Sequence, residues 1–337
     1  MAATPTIKEI AKRLNISIST VSRALNNNPA IGLWTRMRVE KMAKELNYEP
    51  NRTAIFFQQK KTFTLGVVIP ELSEAFFATA ISGIEDTADN KGYIVLMGQS
   101  HDDQEREKKI IRSMKDRRVD GILVSISKNT TDFSHFDDLK KIGIPVVFFD
   151  RIPGLKDIHC VACNMKSGTV MATDFLLKKK YRKIGMINGP EKLYASRERK
   201  EGYMAAMVKN RLKVDPNLIV SSDLTTQGIY TAMDQLLSLK RKPDAIIAFN
   251  DYAVLDAVQY ARQQGLVINK DITFVSYANL SFSSHAVHPP LASVEQFPYE
   301  QAQKATEILL ELIDSKTNEE QVKYKQIIIE PKLVVHK

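Results

Sequence analysis

From Leu65 onward, short apolar runs alternate with amphipathic stretches of helical length. Apolar runs fall at 65–69, 93–97, 121–126 and 146–149, with helical patterns near 76–91, 103–118 and 133–142 between them. A second series follows, with helices near 166–180, 196–211, 227–239 and 252–264 and strands at 183–187, 218–220, 245–249 and 272–275. Parallel strands cannot be joined by a tight turn, so this alternation predicts parallel sheets covered by helices on both faces. Two such series predict two α/β lobes of like build. A last helix at 299–314 and a closing strand at 324–329 are expected to return the chain across both lobes. Ligands of open α/β sheets bind beyond the carboxyl ends of the strands, so two facing lobes predict an enclosed cleft.

The first sixty residues follow another rule. Ile7, Ile10, Ala11 and Leu14 make one face of a helix that starts at Thr6, with Glu9 placed as its capping-box partner. Asn15 tolerates a left-handed turn, Ile16 seals the corner, and Ser17 can cap a second helix whose apolar stripe is Val21, Ala24 and Leu25. Two short helices at such a corner form a helix-turn-helix. The outer face of the second helix carries Ile18, Ser19, Ser22, Arg23 and Asn26, small groups suited to phosphates and base edges in a DNA major groove. A third helix presents Val39, Met42, Ala43 and Leu46 to a three-helix core, turns Arg36, Arg38, Lys41 and Lys44 outward, and ends before Pro50. Residues 52–57, Arg-Thr-Ala-Ile-Phe-Phe, are too few for a stable lone helix and oddly apolar for a tether.

Charge separates the same two regions. The chain of 337 residues carries a formal charge of +9, and residues 1–62 account for +7 of it, with no Asp among them. A basic cap on a nearly neutral body points to a polyanionic partner at that end. The first residues lack a charged n-region and an apolar h-region, and no run of about 18 apolar residues occurs, so a cytoplasmic protein with no membrane partner is expected. Cys160 and Cys163 have the spacing of a redox or zinc half-site, but no second pair exists and they sit in a strand-like run, so no metal and no cofactor is expected. There is no Gly-x-Gly, no phosphate loop, no Gly-x-Ser-x-Gly and no His-Glu-x-x-His, which speaks against an enzyme.

The segment Thr6-Ile7-Lys8-Glu9-Ile10-Ala11 followed by Ser19-Thr20-Val21-Ser22-Arg23-Ala24-Leu25-Asn26 resembles the DNA-reading headpiece of the lac-repressor-like (LacI/GalR) transcription regulators. The resemblance runs on through Asn47-Tyr48-Glu49-Pro50-Asn51, Leu65-Gly66-Val67-Val68-Ile69-Pro70, Arg118-Val119-Asp120-Gly121-Ile122, Gly143-Ile144-Pro145, Asn250-Asp251, Pro289-Pro290-Leu291 and Glu330-Pro331. It implies a small all-α helix-turn-helix headpiece at 1–51 and a hinge helix and linker at 52–64. Behind them it implies a two-lobed α/β effector domain at 65–337, like a type 1 periplasmic binding protein. The first lobe is expected at about 65–161 plus 291–322, and the second at about 162–290 plus 323–337.

The same resemblance implies a homodimeric regulator, a repressor by expectation, on a pseudo-palindromic double-stranded operator. Ile18, Ser19 and Arg23 would contact bases, and Thr6, Ser17, Thr20, Ser22 and Asn26 would contact phosphates. A hinge beginning at Ala54 would place Phe57 in the central minor-groove step, with Phe56 as the alternative because Ile55 departs from the family pattern. A small effector, a sugar or sugar derivative, would meet Ser73, Phe76, Ser100, Asp102, Ser125, Asp150, Arg199, Asn250, Asn279 and Gln296. Two positions depart from the pattern: Ala278 stands where an acid is usual, and Cys163 precedes Asn164 in place of Asp. A secreted sugar receptor is the competing reading, and it leaves the basic first sixty residues without a purpose. An apolar hinge wedge kinks the duplex it enters. Phe57→Ala should therefore reduce operator bending in a circular-permutation gel assay, and an unchanged bend would move the wedge to Phe56.

Overall fold

The computed structural model describes residues 5–48, 61–315 and 323–336, and the chain divides into two compact units at Thr62/Phe63. The hinge residues Ala54, Phe56 and Phe57 lie outside the described residues.

The first unit contains α1 (Ile7–Leu14), α2 (Ile18–Leu25) and α3 (Leu33–Glu45). Ile10, Ala11, Val21, Ala24, Val39 and Ala43 form its buried centre. Asn15 takes the left-handed conformation at φ 52 and turns the chain from α1 into α2. The capping box does not form. Thr6 stands at the cap position without a side-chain cap bond, and Glu9 instead accepts from Arg13 at 2.7 Å, one turn along the same helix. Arg36 is partly buried rather than outward, since its Nη2 donates to the Ile31 carbonyl at 3.1 Å.

The second unit holds two six-stranded sheets. Its elements are β1 (Thr64–Ile69), α4 (Ala75–Asp89), β2 (Ile94–Gln99), α5 (Gln104–Asp116), β3 (Gly121–Val124), α6 (Ser134–Lys141), β4 (Val146–Phe149) and β5 (His159–Cys163). There follow α7 (Met165–Lys178), β6 (Ile184–Asn188), α8 (Tyr194–Lys209), β7 (Ile219–Ser221), α9 (Thr226–Leu237), β8 (Ala245–Ala248), α10 (Asp251–Gln263) and β9 (Thr273–Tyr277). The last elements are β10 (Ala292–Glu295), α11 (Pro298–Asp314), β11 (Gln326–Ile329) and β12 (Lys332–Val335). The first sheet runs β11-β5-β4-β3-β1-β2 and the second β12-β10-β9-β8-β6-β7. All strand pairs are parallel except β10 with β12. The central strands β3 and β8 are buried along their whole length, which explains their unbroken apolar sequence.

The expected lobe boundaries need correction at the C-terminal end. Ala292–Glu295 was expected in the first lobe and pairs instead with β9 in the second sheet. Gln326–Ile329 was expected in the second lobe and pairs with β5 in the first. Neither β10 nor β12 is among the strands that the sequence pattern predicts. A short strand joins whichever sheet edge lies open beside it, and local sequence does not encode that choice.

The chain passes between the lobes three times, at Asn164, at Gln296–Phe297 and at Glu330–Pro331. Two of these passages are tied together: Asn164 donates from its backbone to the Ile329 carbonyl at 2.9 Å and from Nδ2 to Glu330 Oε1 at 2.7 Å. In the first lobe α4 and α11 approach closely at Gly83, where an added Cβ would lie 2.5 Å from the Tyr299 carbonyl oxygen. Gly83→Ala should therefore destabilise the protein by about 1–3 kcal/mol through overpacking. Urea unfolding checks it; an unchanged midpoint would mean that the helices shift without cost. Among the described residues no helix is long and apolar enough to cross a membrane.

Candidate functional site

Two groups of side chains stand out, one in each unit. On α2, Ser17 Oγ accepts from the Thr20 amide at 3.0 Å and fixes where the helix begins. Burying Val21 and Ala24 turns the opposite face outward, so Ser17, Ile18, Ser19, Arg23 and Asn26 are exposed, and Thr20 and Ser22 are partly so. Ile18 keeps 46 % of its surface exposed, a cost for a β-branched apolar side chain unless a partner covers it. The face bears one charge, Arg23. Thr6 is exposed too, and its hydroxyl is not used for capping.

In the second unit the carboxyl ends of β4 and β8, the first turns of α4, α7 and α8, and the loop after β9 enclose a cavity of about 40 Å³. Of the ten residues expected to face an effector, Phe76, Asp150, Arg199, Asn250 and Gln296 line it. Two others stand one step back. Ser125 donates to Asp150 Oδ2 at 3.4 Å, and Asp102 accepts from Arg151 Nη1 at 2.8 Å. Three lie off the cavity. Ser73 is exposed beside Glu71, and Ser100 is buried between the Ile69 carbonyl and Ser127. Asn279 turns its amide to Glu295 Oε2 at 2.8 Å.

Arg199 is the unusual group. It is 3 % exposed, its guanidinium lies between the Phe249 and Tyr277 rings at 4.1 and 3.9 Å, and Nη1 donates to the Phe249 carbonyl at 2.7 Å. Nη2 meets only the Met165 sulfur at 3.6 Å, and Nε is buried with no hydrogen-bond partner. No carboxylate pairs with it among the described residues, and burial pushes its pKa down. Leaving a buried donor unsatisfied is costly, which is what a ligand acceptor would relieve.

Arg151 is different. Burial opposes its charge, but Asp102 at 2.8 Å and Glu74 at 3.8 Å more than offset this and raise its pKa. Asp150 is half-buried. Burial raises its carboxyl to about 6 against the pull of Arg151 and Arg199, and its backbone sits at φ 56. Asn250 caps α10 by accepting from the Ala253 amide at 2.9 Å, which leaves its Nδ2 for other work. The cavity thus offers two carboxylates, Glu74 and Asp150, several donors and aromatic walls, a set suited to a small polyhydroxylated molecule.

Sequence reasoning passed over Glu74, Arg151, Met165, Phe249, Tyr252 and Leu280, which also line the cavity. Arg151 and Phe249 directly follow strands, so the strand-end rule reaches them. Tyr252 and Leu280 carry no local signal. Cys160 and Cys163 are free, buried thiols that burial pushes up to about 11 and about 12, so they stay protonated and unreactive.

Residues 6–51 match the family described as bacterial regulatory proteins, lacI family. Residues 62–337 match periplasmic binding proteins and the sugar binding domain of the LacI family. The chain is 31 % identical to the HTH-type transcriptional repressor CytR of Escherichia coli K12 over 91 % of this chain and 89 % of that protein. A solved complex of the transcriptional regulator CelR with cellobiose is 26 % identical, with TM-score 0.73 and 98 % of each chain covered. The lac repressor dimer bound to operator shares the fold, with TM-score 0.81 over 98 % of each chain at 23 % identity. The chain belongs to the LacI family of bacterial regulatory proteins. It is a DNA-binding transcription regulator that joins a helix-turn-helix headpiece to a periplasmic-binding-protein-like effector domain.

Asp150 generates a pH prediction. Its native pKa of about 6 exceeds the ordinary 3.8, so the native state holds a proton that the unfolded chain has released. Its contribution is therefore complete below about pH 4 and is lost as pH rises through about 6. Asp150→Asn should flatten that fall and raise stability at pH 7 by an amount on the order of 2–3 kcal/mol, measured by thermal melts across pH.

Proposed function

We propose that this chain is a homodimeric repressor whose α2 reads operator bases through Ile18, Ser19 and Arg23. Thr6, Ser17, Thr20, Ser22 and Asn26 hold phosphates beside them, and the hinge around Ala54, Phe56 and Phe57 enters the minor groove. The observation that carries this reading is the outer face of α2: capped, exposed, bearing a bare Ile18 and a single guanidinium. Short neutral groups let the helix sit close to base edges, and Arg23 can pair with guanine O6 and N7. The regulator acts in the cytoplasm by binding, not by turnover.

The effector is a sugar or sugar derivative held in the cavity by Asp150, Arg199, Asn250 and Gln296 against the ring of Phe76. The unpartnered Nε of Arg199 supports this, because a vicinal pair of sugar oxygens satisfies a guanidinium edge. The known ligand of the CelR complex, cellobiose, points the same way. A ligand that prefers one arrangement of the lobes shifts that equilibrium and thereby the operator affinity.

Exposed apolar groups support the dimer. β2 is a sheet edge with Ile94 63 % exposed and Met97 42 % exposed, and Leu255 and Val287 flank an open groove in the second lobe. A bare apolar edge strand invites pairing, and a second copy of the chain would cover it.

Anisotropy titrations on DNA upstream of the protein's own gene test the reading. Affinity should fall steeply with salt, as phosphate contacts require. Arg23→Ala should cost about 1–3 kcal/mol and relax specificity at one base pair. Binding that ignores salt would overturn the DNA reading, and uniform weakening on every sequence would reassign Arg23 to a phosphate.

A further inference from the structure

The second lobe gathers positive charge at one edge. Lys178, Lys179, Lys180, Arg182 and Lys183 lead from the end of α7 into β6, and Lys240, Arg241 and Lys242 lead from the end of α9 into β8; all eight are exposed. β6 and β8 pair in parallel with Ile184 opposite Ala245, and the Asp244 amide donates to the Lys183 carbonyl at 2.9 Å, so both segments reach the same sheet edge side by side. One acid, Asp244, lies between them, and its carboxylate accepts from the backbone amides of Arg182 and Lys183 at 3.4 and 3.2 Å. Arg182 is partly used locally, since Nη1 donates to the Leu177 carbonyl at 2.8 Å. Among the described residues none of the eight side chains is in an ion pair, and nearby Asp174 is taken by Lys209 at 2.9 Å.

The body as a whole is nearly neutral, so this excess is local. The corresponding edge of the first lobe is mixed: the segment before β3 reads Lys115-Asp116-Arg117-Arg118-Val119-Asp120, and Lys141 before β4 pairs with Asp138 at 2.9 Å. Offsetting a helix dipole calls for a cation in the last turn, not for a run that continues to the next strand. Crowded like charges repel one another, and a polyanion relieves that repulsion. The carboxyl end of β8 brings Phe249 and Asn250 to the cavity, so its amino end points away from it. The chain enters the second unit at the amino end of β1, in the first sheet, whose carboxyl ends face the same cavity. The basic edge and the point of entry therefore lie at opposite ends of the second unit.

Protein interfaces are poor in lysine and rich in aromatic groups, and membrane-surface segments need an apolar face. No large apolar side chain is exposed at 178–183 or 238–242. Lysine without apolar relief suits phosphates read for charge alone. We propose that this edge is a second, sequence-independent surface for double-stranded DNA, so that a chain whose headpiece holds one duplex grips the phosphates of another segment through Lys180, Lys183, Arg241, Lys242 and their neighbours. The choice of DNA as the polyanion rests on the headpiece reading.

Two-duplex capture tests this. The full chain is loaded on a bead-bound duplex carrying DNA upstream of its own gene, washed, and offered a short fluorescent duplex of unrelated sequence at low salt. Wild type should retain the second duplex. The fourfold variant Lys180→Glu, Lys183→Glu, Arg241→Glu, Lys242→Glu should load equally on the first duplex and retain about tenfold less of the second. Glutamine at the same four positions should lower retention in the same direction, which guards against misfolding of the charge-reversed chain. Retention by the variants equal to wild type, or no retention by wild type, overturns the proposal while leaving the headpiece reading standing. Displacement of the second duplex by poly-glutamate at a lower charge concentration than by unlabelled duplex overturns it in favour of an acidic protein. Failure to load on the first duplex counts against the headpiece reading alone. Anisotropy of the fluorescent duplex then decides the edge: tenfold weaker binding by the fourfold variant supports it, and unchanged binding overturns it.

Discussion

Three short passages of chain between the lobes, two of them laced to each other through Asn164, Ile329 and Glu330, are the constraint on which the second unit depends. Each sheet is completed by a strand that arrives from far along the sequence: β11 closes the edge beside β5, and β10 and β12 close the edge beside β9. Neither lobe therefore owns a continuous stretch of chain. A rotation of one lobe against the other has to be absorbed at Asn164, at Gln296–Phe297 and at Glu330–Pro331 together. Phe297, at φ 56, already holds a left-handed conformation at one of these points. Motions of this kind are carried by a few residues at element ends, as in other hinged proteins.

The passages also place chemistry. Met165 follows the first and Gln296 lies in the second, and both reach the cavity, where their side chains approach at 3.8 Å. A ligand against them touches the segments that must flex. Arg199 joins the same group: its guanidinium is packed between Phe249 and Tyr277, and Tyr277 is held in turn by Thr169. Occupying the free Nε edge thus adds a contact at a point that is rigid on one side and hinged on the other. That is a physical route from a small molecule to a change in lobe angle, and it requires only differential affinity for the two arrangements.

The headpiece works on a smaller scale. Its core is six buried side chains, and the reading face exists because Val21 and Ala24 are claimed by that core. The ordering of small, nearly neutral groups around Arg23 is local information, and so is the Ser17 cap. Glu9 shows the limit of such information: the spacing from Thr6 suits a capping box, yet Arg13 lies one turn away on the same face and takes the carboxylate. A charged partner outcompeted a neutral backbone donor, as expected for an exposed helix start.

What the sequence determined by itself was everything encoded at short range. Periodicity placed the long helices and every parallel strand but β10 to within a few residues, because apolar spacing reports which face is buried. The strand-end rule and the family resemblance point to Phe76, Asp150, Arg199, Asn250 and Gln296, which meet at one cavity. Tertiary structure alone decided which sheet received Ala292–Glu295 and Gln326–Ile329, since four-residue strands carry too little pattern to choose an edge. It alone sent Asn279 to Glu295 and brought Ala278 to the cavity. It alone left Arg199 Nε without an acceptor, because hydrogen-bond satisfaction depends on groups far apart in sequence, here Met165, Phe249 and Tyr277, meeting in space.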